Sequence, residues 1–218
     1  MSVYKGFLNP QQAPDGSTVA TPPAGYTVPF YGTDGNSYVK LPDGSVVLLA
    51  YTEKVLATIF YQTQRVTLAN SAAETTLLGT GVGSLLLPAG FWIPGATVEF
   101  EAWGFYSTTG SPKIEHKIKL NSTVMLDTGL NSAGSASNSQ FRLRGMLTCI
   151  TVGATGTIEC QGVYETDAGD FPMVNSSGPV VVDTTVDTTI DWTGQWDTAS
   201  VSDTITSTNF GSKYARYV

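Results

Sequence analysis

Few residues in this chain combine type and spacing in a way that could do chemistry. The single histidine, His116, sits in the alternating run Ile114, His116, Ile118, Leu120, which places it on the apolar face of a strand. The register argued below sets it against Gly104, where a small partner leaves room for the ring, so a buried structural histidine is a better reading than a catalytic one. The two cysteines, Cys149 and Cys160, fall on two runs separated by Gly153-Ala154-Thr155-Gly156. An even-numbered loop on that centre opposes Cys149 to Cys160, Leu147 to Gly162, Arg144 to Glu165 and Ile150 to Glu159, and turns both thiols to the core. Directly opposed cross-strand cysteines can bond, though often with strain. A protein assembled in a reducing cytoplasm keeps its thiols free, so two buried free thiols are the favoured reading. Two Cys and one His without C-x-x-C spacing do not make a zinc site.

Val180 to Trp192 reads as one two-faced strand, with Val182, Val186, Ile190 and Trp192 on one side and Asp183, Thr185, Asp187, Thr189 and Asp191 on the other. Aspartates four apart in a strand lie about 13 Å from one another, too far to share a calcium ion. They make a solvated face instead. The Gly79-Thr80-Gly81-Val82-Gly83 run has no following helix or lysine for a phosphate and reads as a turn. No G-x-S-x-G or H-E-x-x-H motif occurs. The 18 acidic residues offer many pairings for glycoside hydrolysis, but most fall in turns or on outer faces, with no sign of an enclosed cleft. We therefore assign no catalytic, cofactor-binding or metal-binding residue and expect no enzyme.

The elements that would position these residues are strands. Thr97 to Tyr106 sends Val98, Phe100, Ala102, Gly104 and Tyr106 to one face and Thr97, Glu99, Glu101, Trp103 and Phe105 to the other; Lys113 to Asn121 alternates as clearly. A hairpin turning at Ser107 to Pro112 keeps the apolar sets together if Tyr106 opposes Ile114, Gly104 opposes His116, Ala102 opposes Ile118 and Phe100 opposes Leu120. Its outer side then pairs Glu101 with Lys119 and lays Lys117 against Trp103 for a cation–π contact. A second hairpin joins Phe141–Thr151 to Thr157–Glu165. Tyr51 to Ile59 is a short helix or a strand, Asn131 to Gln140 a polar surface loop, Asp167 to Gly178 a second long loop carrying Phe171 and Met173, and Ser200 to Phe210 a closing strand.

Prolines and turn formers crowd the first 45 residues: Asn9-Pro10, Pro14-Asp15-Gly16, Pro22-Pro23-Ala24-Gly25, Asp34-Gly35-Asn36 and Pro42-Asp43-Gly44. Between them Tyr26–Tyr31, Ser37–Leu41 and Ser45–Ala50 are β-like but too short to stand alone. This region should be ordered by association. A charged fraction of 13% and net charge of −7 describe a turn-rich β protein whose field repels phosphate backbones, which argues against nucleic acid. Neither a secretory signal nor an apolar run long enough to cross a bilayer is visible, so no membrane partner is expected.

Gln64 to Asp127, above all LANSAAETTLLGTGVGSLLLPAGFWIPG and WGFYSTTGSPKIEHKIKLNSTVMLDTG, resembles a β-sandwich module of tailed-bacteriophage virion proteins of the fibre or decoration type. VDTTIDWTGQWDTASVSDTITSTNF resembles the closing strands of that module, and TPPAGYTVPFYGTDGNSYVKLPDGSVVLL is similar to an N-terminal base motif of phage fibre-type proteins. The resemblance implies an all-β fold, an antiparallel jelly-roll-like β-sandwich over residues 59–218, preceded by an extended, turn-rich attachment and oligomerisation region over residues 1–58. It implies a homotrimer that is made in the host cytoplasm, joins other virion proteins through residues 1–50 and resides in the virion, most simply as a head decoration or head fibre. The alternatives are a tail fibre or receptor-binding protein whose loops touch a host glycan, and a glycan depolymerase. Candidate subunit or receptor contacts are Trp103, Phe105, Lys117, Phe171, Met173 and Trp196.

Overall fold

The computed structural model describes residues 12–13, 19–32, 37–48, 54–173 and 178–217. The chain divides into two units, Met1–Glu53 with Val218, and Lys54–Tyr217. In the first, β1 (Gln12–Ala13), β2 (Val28–Gly32), β3 (Ser37–Lys40) and β4 (Val46–Leu48) form a four-stranded sheet in chain order, with β1 and β2 parallel. Val19 and Phe30 form a buried apolar cluster, and Val28 and Tyr38 pack against them. The Lys40 ammonium donates to the Val19 carbonyl at 2.6 Å.

The second unit opens with β5 (Lys54–Gln62), β6 (Val66–Ala69), β7 (Thr75–Thr76), β8 (Gly81–Gly83) and β9 (Leu86–Leu87). Its centre holds β10 (Thr97–Thr108), β11 (Lys113–Leu120), β12 (Thr123–Asp127), β13 (Asn131–Ser132), β14 (Ala136–Thr151) and β15 (Gly156–Thr166). It closes with β16 (Gly169–Met173), β17 (Val180–Val182), β18 (Thr188–Trp196) and β19 (Thr204–Tyr217). A nine-stranded sheet runs β16-β15-β14-β10-β19-β5-β8, with β17 also on β15 and β6 on β19; a six-stranded sheet runs β12-β11-β18-β7, with β13 on β11 and β9 on β18. Every pairing in this unit is antiparallel. The two sheets share one core, to which the first contributes Phe100, Phe141, Tyr164 and Phe210 and the second His116, Ile118, Leu120 and Trp192. The result is an all-β, jelly-roll-like sandwich.

The apolar faces expected for β10 and β11 are the buried ones, from Val98 to Tyr106 and from Ile114 to Leu120. Their expected pairing does not form. β10 lies between β14 and β19, and β11 between β12 and β18, so the chain crosses from one sheet to the other at Thr109–Pro112. Alternation says which side chains go inward; it cannot separate two strands side by side from two strands facing each other across a core. His116 consequently opposes Gly194, while Gly104 opposes Phe141.

The second hairpin forms with a register two residues from the expected one: Leu147 opposes Cys160, Cys149 opposes Ile158 and Arg142 opposes Glu165. Thr151 opposes Thr157 around an odd-numbered loop, and a bulge at Ile150 adds one further residue of offset. Cys149 and Cys160 are buried and unbonded. Residues 54–59 are strand, 51–53 lying outside the described residues.

Four polar or glycine-rich stretches also depart from expectation. Ala136–Gln140, expected as loop, extends β14 along β10. Phe171 to Met173, expected as loop, belongs to edge strand β16, where Pro172 loses no ladder bond that the sheet needs. The run from Val180 to Trp192 breaks at 183–187, sending β17 and β18 to opposite sheets. Gly81–Gly83, expected as turn, is edge strand β8 on β5. A Cβ on Gly81 would strike the Tyr61 carbonyl and the Phe60 ring. Gly81→Val should therefore cost about 1–3 kcal/mol and deprotect the Tyr61 region in hydrogen exchange; unchanged exchange there would show that β8 does not hold β5.

Candidate functional site

Among the described residues, chemistry-bearing side chains gather in three places, one of which is a groove. The first surrounds His116 inside the sandwich. The Trp192 indole N–H donates to His116 Nδ1 at 3.3 Å, so the neutral ring carries its proton on Nε2. The ring also lies 4.6 Å from that of Tyr164 and 5.3 Å from that of Phe141, centroid to centroid. Burial pushes the histidine down to about 3 and raises the Tyr164 phenol. No solvent reaches the cluster, since His116, Tyr164, Phe141 and Trp192 are all buried. The cysteines are similarly disarmed: burial, and then the neighbouring Glu159 carboxylate, push Cys160 up to about 12, and burial raises Cys149. A neutral thiol is a poor nucleophile.

The second place is the outer face of the six-stranded sheet. Glu74 accepts from Lys119 at 2.8 Å, from Thr193 at 2.9 Å and from Lys117 at 3.3 Å, and Lys117 also pairs with Glu115 at 2.9 Å. The Lys119 ammonium holds the Glu74 carboxyl below the usual carboxylate range. Lys117 is thus committed to Glu74 and Glu115 in the sheet opposite Trp103, which corrects the expected cation–π contact and the expected Glu101–Lys119 pair. Asp191 accepts from Thr76, Asp187 from the Ala89 amide and Asp183 from Thr185. No three His, Cys, Asp or Glu residues among those described form a metal-holding group.

The third place is open: a groove of about 710 Å3 on the outer face of the nine-stranded sheet. Trp103 opposes Arg142 of β14 on one side and Asn209 of β19 on the other, and Glu101 opposes Arg144 and Gly211. The Arg142 guanidinium sits 4.8 Å over the Trp103 ring and is held there by Glu101, with Glu165 at 3.9 Å. Arg144 in turn donates to Glu165 at 2.7 Å. A planar cation fixed by carboxylates and stacked on indole is rigid in a way that lysine would not be. Tyr61, next to Gly211 on β5, is half exposed, and a Cβ on Gly211 would lie 3.3 Å from its ring. The tyrosine ring therefore reaches over the glycine and occupies the space a side chain would take.

Of the six expected contact residues, Trp103 (40% exposed) and the half-buried Phe105 lie on this outer face. Met173 and Trp196 are buried in the core and Phe171 packs against it beside Tyr164, so these three do not present the contact surface their loops were expected to offer. Tyr61 and Arg142 were missed. Arg142 was readable as an outward residue of its strand, but β5 meets β10 only through β19, from the far end of the chain.

No protein-family model matches the chain, and no curated protein matches it. Among solved structures, lectin I from Ulex europaeus, described in complex with the methyl glycoside of α-L-fucose, is similar over 74% of this chain and 98% of its own, at 8% identity and a TM-score of 0.31. A likeness at that score carries no argument about this chain.

Proposed function

We propose that the chain is a non-enzymatic structural protein of a tailed-phage virion, a head decoration or head fibre, that oligomerises as a trimer and attaches through its N-terminal unit while displaying the β-sandwich. The observation that carries this reading is the shortness of the N-terminal strands. β1 to β4 are two, five, four and three residues long, and strands that short are marginal without further packing. Other chains can supply that packing, and closed symmetry is the usual way to do so. The sequence resemblance supplies the particle.

Location and stoichiometry test the proposal. Quantitative gels of purified virions should show hundreds of copies per particle, and deletion of residues 1–50 should abolish incorporation while residues 59–218 stay folded. Incorporation that survives the deletion would refute the attachment role. The second reading, a tail fibre or receptor-binding protein contacting a host glycan, is favoured by the open groove at Trp103, Arg142 and Tyr61; copy numbers of a few tens or fewer would select it.

A further inference from the structure

The groove on the nine-stranded sheet has features that narrow what it can hold. Of the four tryptophans, Trp92, Trp192 and Trp196 are buried and Trp103 alone is exposed. Arg142, anchored by Glu101 and Glu165 from β10 and β15, covers one face of the Trp103 ring and holds it in place, and the rest of the indole is open to solvent. Tyr61 presents a second ring above Gly211, half exposed. Exposed rings held rigidly on strands bind at little entropic cost, because no rotamers have to be frozen on association.

The spacing of the two rings follows from the register. Trp103 opposes Asn209 and Tyr61 opposes Gly211, with β19 between their strands. The Tyr61 ring leans over Gly211 of β19, so one strand spacing across and two residues along separate it from the Trp103 position by roughly 8 Å. One sugar ring cannot lie on both aromatics; a chain of sugars can. Between them lie hydrogen-bonding groups of both kinds, the Glu101 carboxylate and the Asn209 amide, beside the Arg142 guanidinium.

Charge decides the class of chain. Arg142 and Arg144 are matched by Glu101 and Glu165, the groove's third cation, Lys213, stands opposite Glu99 in the β10–β19 pairing, and the molecule carries a net charge of −7. An anionic polymer would have to displace carboxylates already seated on the guanidiniums, against the long-range field. Sugar hydroxyls, which donate to carboxylate and accept from guanidinium or amide at once, fit the array as it stands.

Resting on the receptor reading above, we infer that this sheet face binds a neutral oligosaccharide lengthwise across β10, β19 and β5, with Trp103 and Tyr61 as two stacking platforms and Glu101, Asn209 and Arg142 addressing the hydroxyls between them. The contact is on the flat of the sheet, not at the loops.

The test uses the full chain on an array carrying neutral probes (maltoheptaose, laminarihexaose, mannan and galactan oligomers, neutral bacterial O-polysaccharides) beside anionic ones (oligogalacturonates, sialylated and sulfated oligosaccharides). Neutral oligomers should bind, their free monosaccharides should bind at least about tenfold more weakly, and the bound oligomer should shield Trp103 from acrylamide quenching. Trp103→Ala and Tyr61→Ala should each weaken binding by about tenfold or more without moving the thermal midpoint. Neutral-glycan binding that survives both substitutions overturns this surface but leaves the receptor reading standing. Binding to anionic probes alone overturns the ligand class. Binding to no glycan overturns the inference and the receptor reading together.

Discussion

Between pH 6.5 and pH 3 the β-sandwich is expected to lose about 5 kcal/mol of stability through His116 alone. The folded ring titrates at about 3 because it is fully buried, whereas in the unfolded chain it titrates near 6.5. The unfolded state therefore binds the extra proton throughout that window, and stability falls as the pH is lowered, reaching a plateau once the folded ring also titrates. The hydrogen bond explains why no easy relief exists. Protonated His116 could no longer accept from the Trp192 indole, and two N–H groups would point at each other. Tyr164, the other titratable group against the ring, is neutral and buried, and among the described residues no carboxylate acts on the ring to offset its burial. Since a whole domain is typically stable by about 5–15 kcal/mol, the protein should unfold in acid. Denaturant titrations at pH 7, 5 and 4 measure the slope, and His116→Leu should flatten it over the histidine window while leaving the carboxylate part below. An unchanged slope in that variant would assign the acid sensitivity elsewhere.

The second large effect separates two tryptophans that are equally buried in the core. Trp192→Ala should cost about 3–5 kcal/mol by cavity formation, since the ring packs between His116, Phe141 and Phe210. Trp192→Phe keeps much of the volume but leaves His116 Nδ1 without its donor, a loss of about 1–3 kcal/mol. Trp196 is equally buried, yet its indole N–H has no hydrogen-bond partner. Trp196→Phe should therefore cost less than Trp192→Phe, because it removes an unsatisfied donor. Equal losses for the two variants in equilibrium unfolding would show that volume, not the hydrogen bond, sets the cost.

The faces of the long strands were legible in the sequence because burial imposes a period of two wherever one side of a sheet is dry. Phe100 and Ala102, or Ile118 and Leu120, could be placed inside without a structure. Which strand lies next to which was not legible, since β10 and β11 satisfy the same alternation as neighbours or as opposites. Short-range signals misled where polar composition stood in for loop. The Ser, Asn and Gln residues of 137–140 run along β10, and Asp183 with Thr185 makes the turn that splits an otherwise continuous-looking strand. The register of β14 on β15 turned on the odd-numbered loop and on one bulged residue, Ile150, neither of which any pattern of apolar residues announces. Trp103 and Phe105 were visible as outward aromatics; their neighbours Tyr61 and Asn209 were not, because strands far apart in sequence bring them there.

Strand β19 occupies the interior of the nine-stranded sheet, with β10 on one flank and β5 and β6 on the other. During synthesis the ribosome delivers this strand after every other strand of the sandwich, so β10 and β5 wait with unpaired edges until residues 204–217 emerge. A polypeptide cut short before that point has no strand to join β10 to β5 and β6 and offers bare strand edges to whatever surrounds it, the condition that invites aggregation and proteolysis. The sandwich is therefore complete only in chains that contain residues 204–217, and these also bring Asn209 and Gly211 to the floor of the groove.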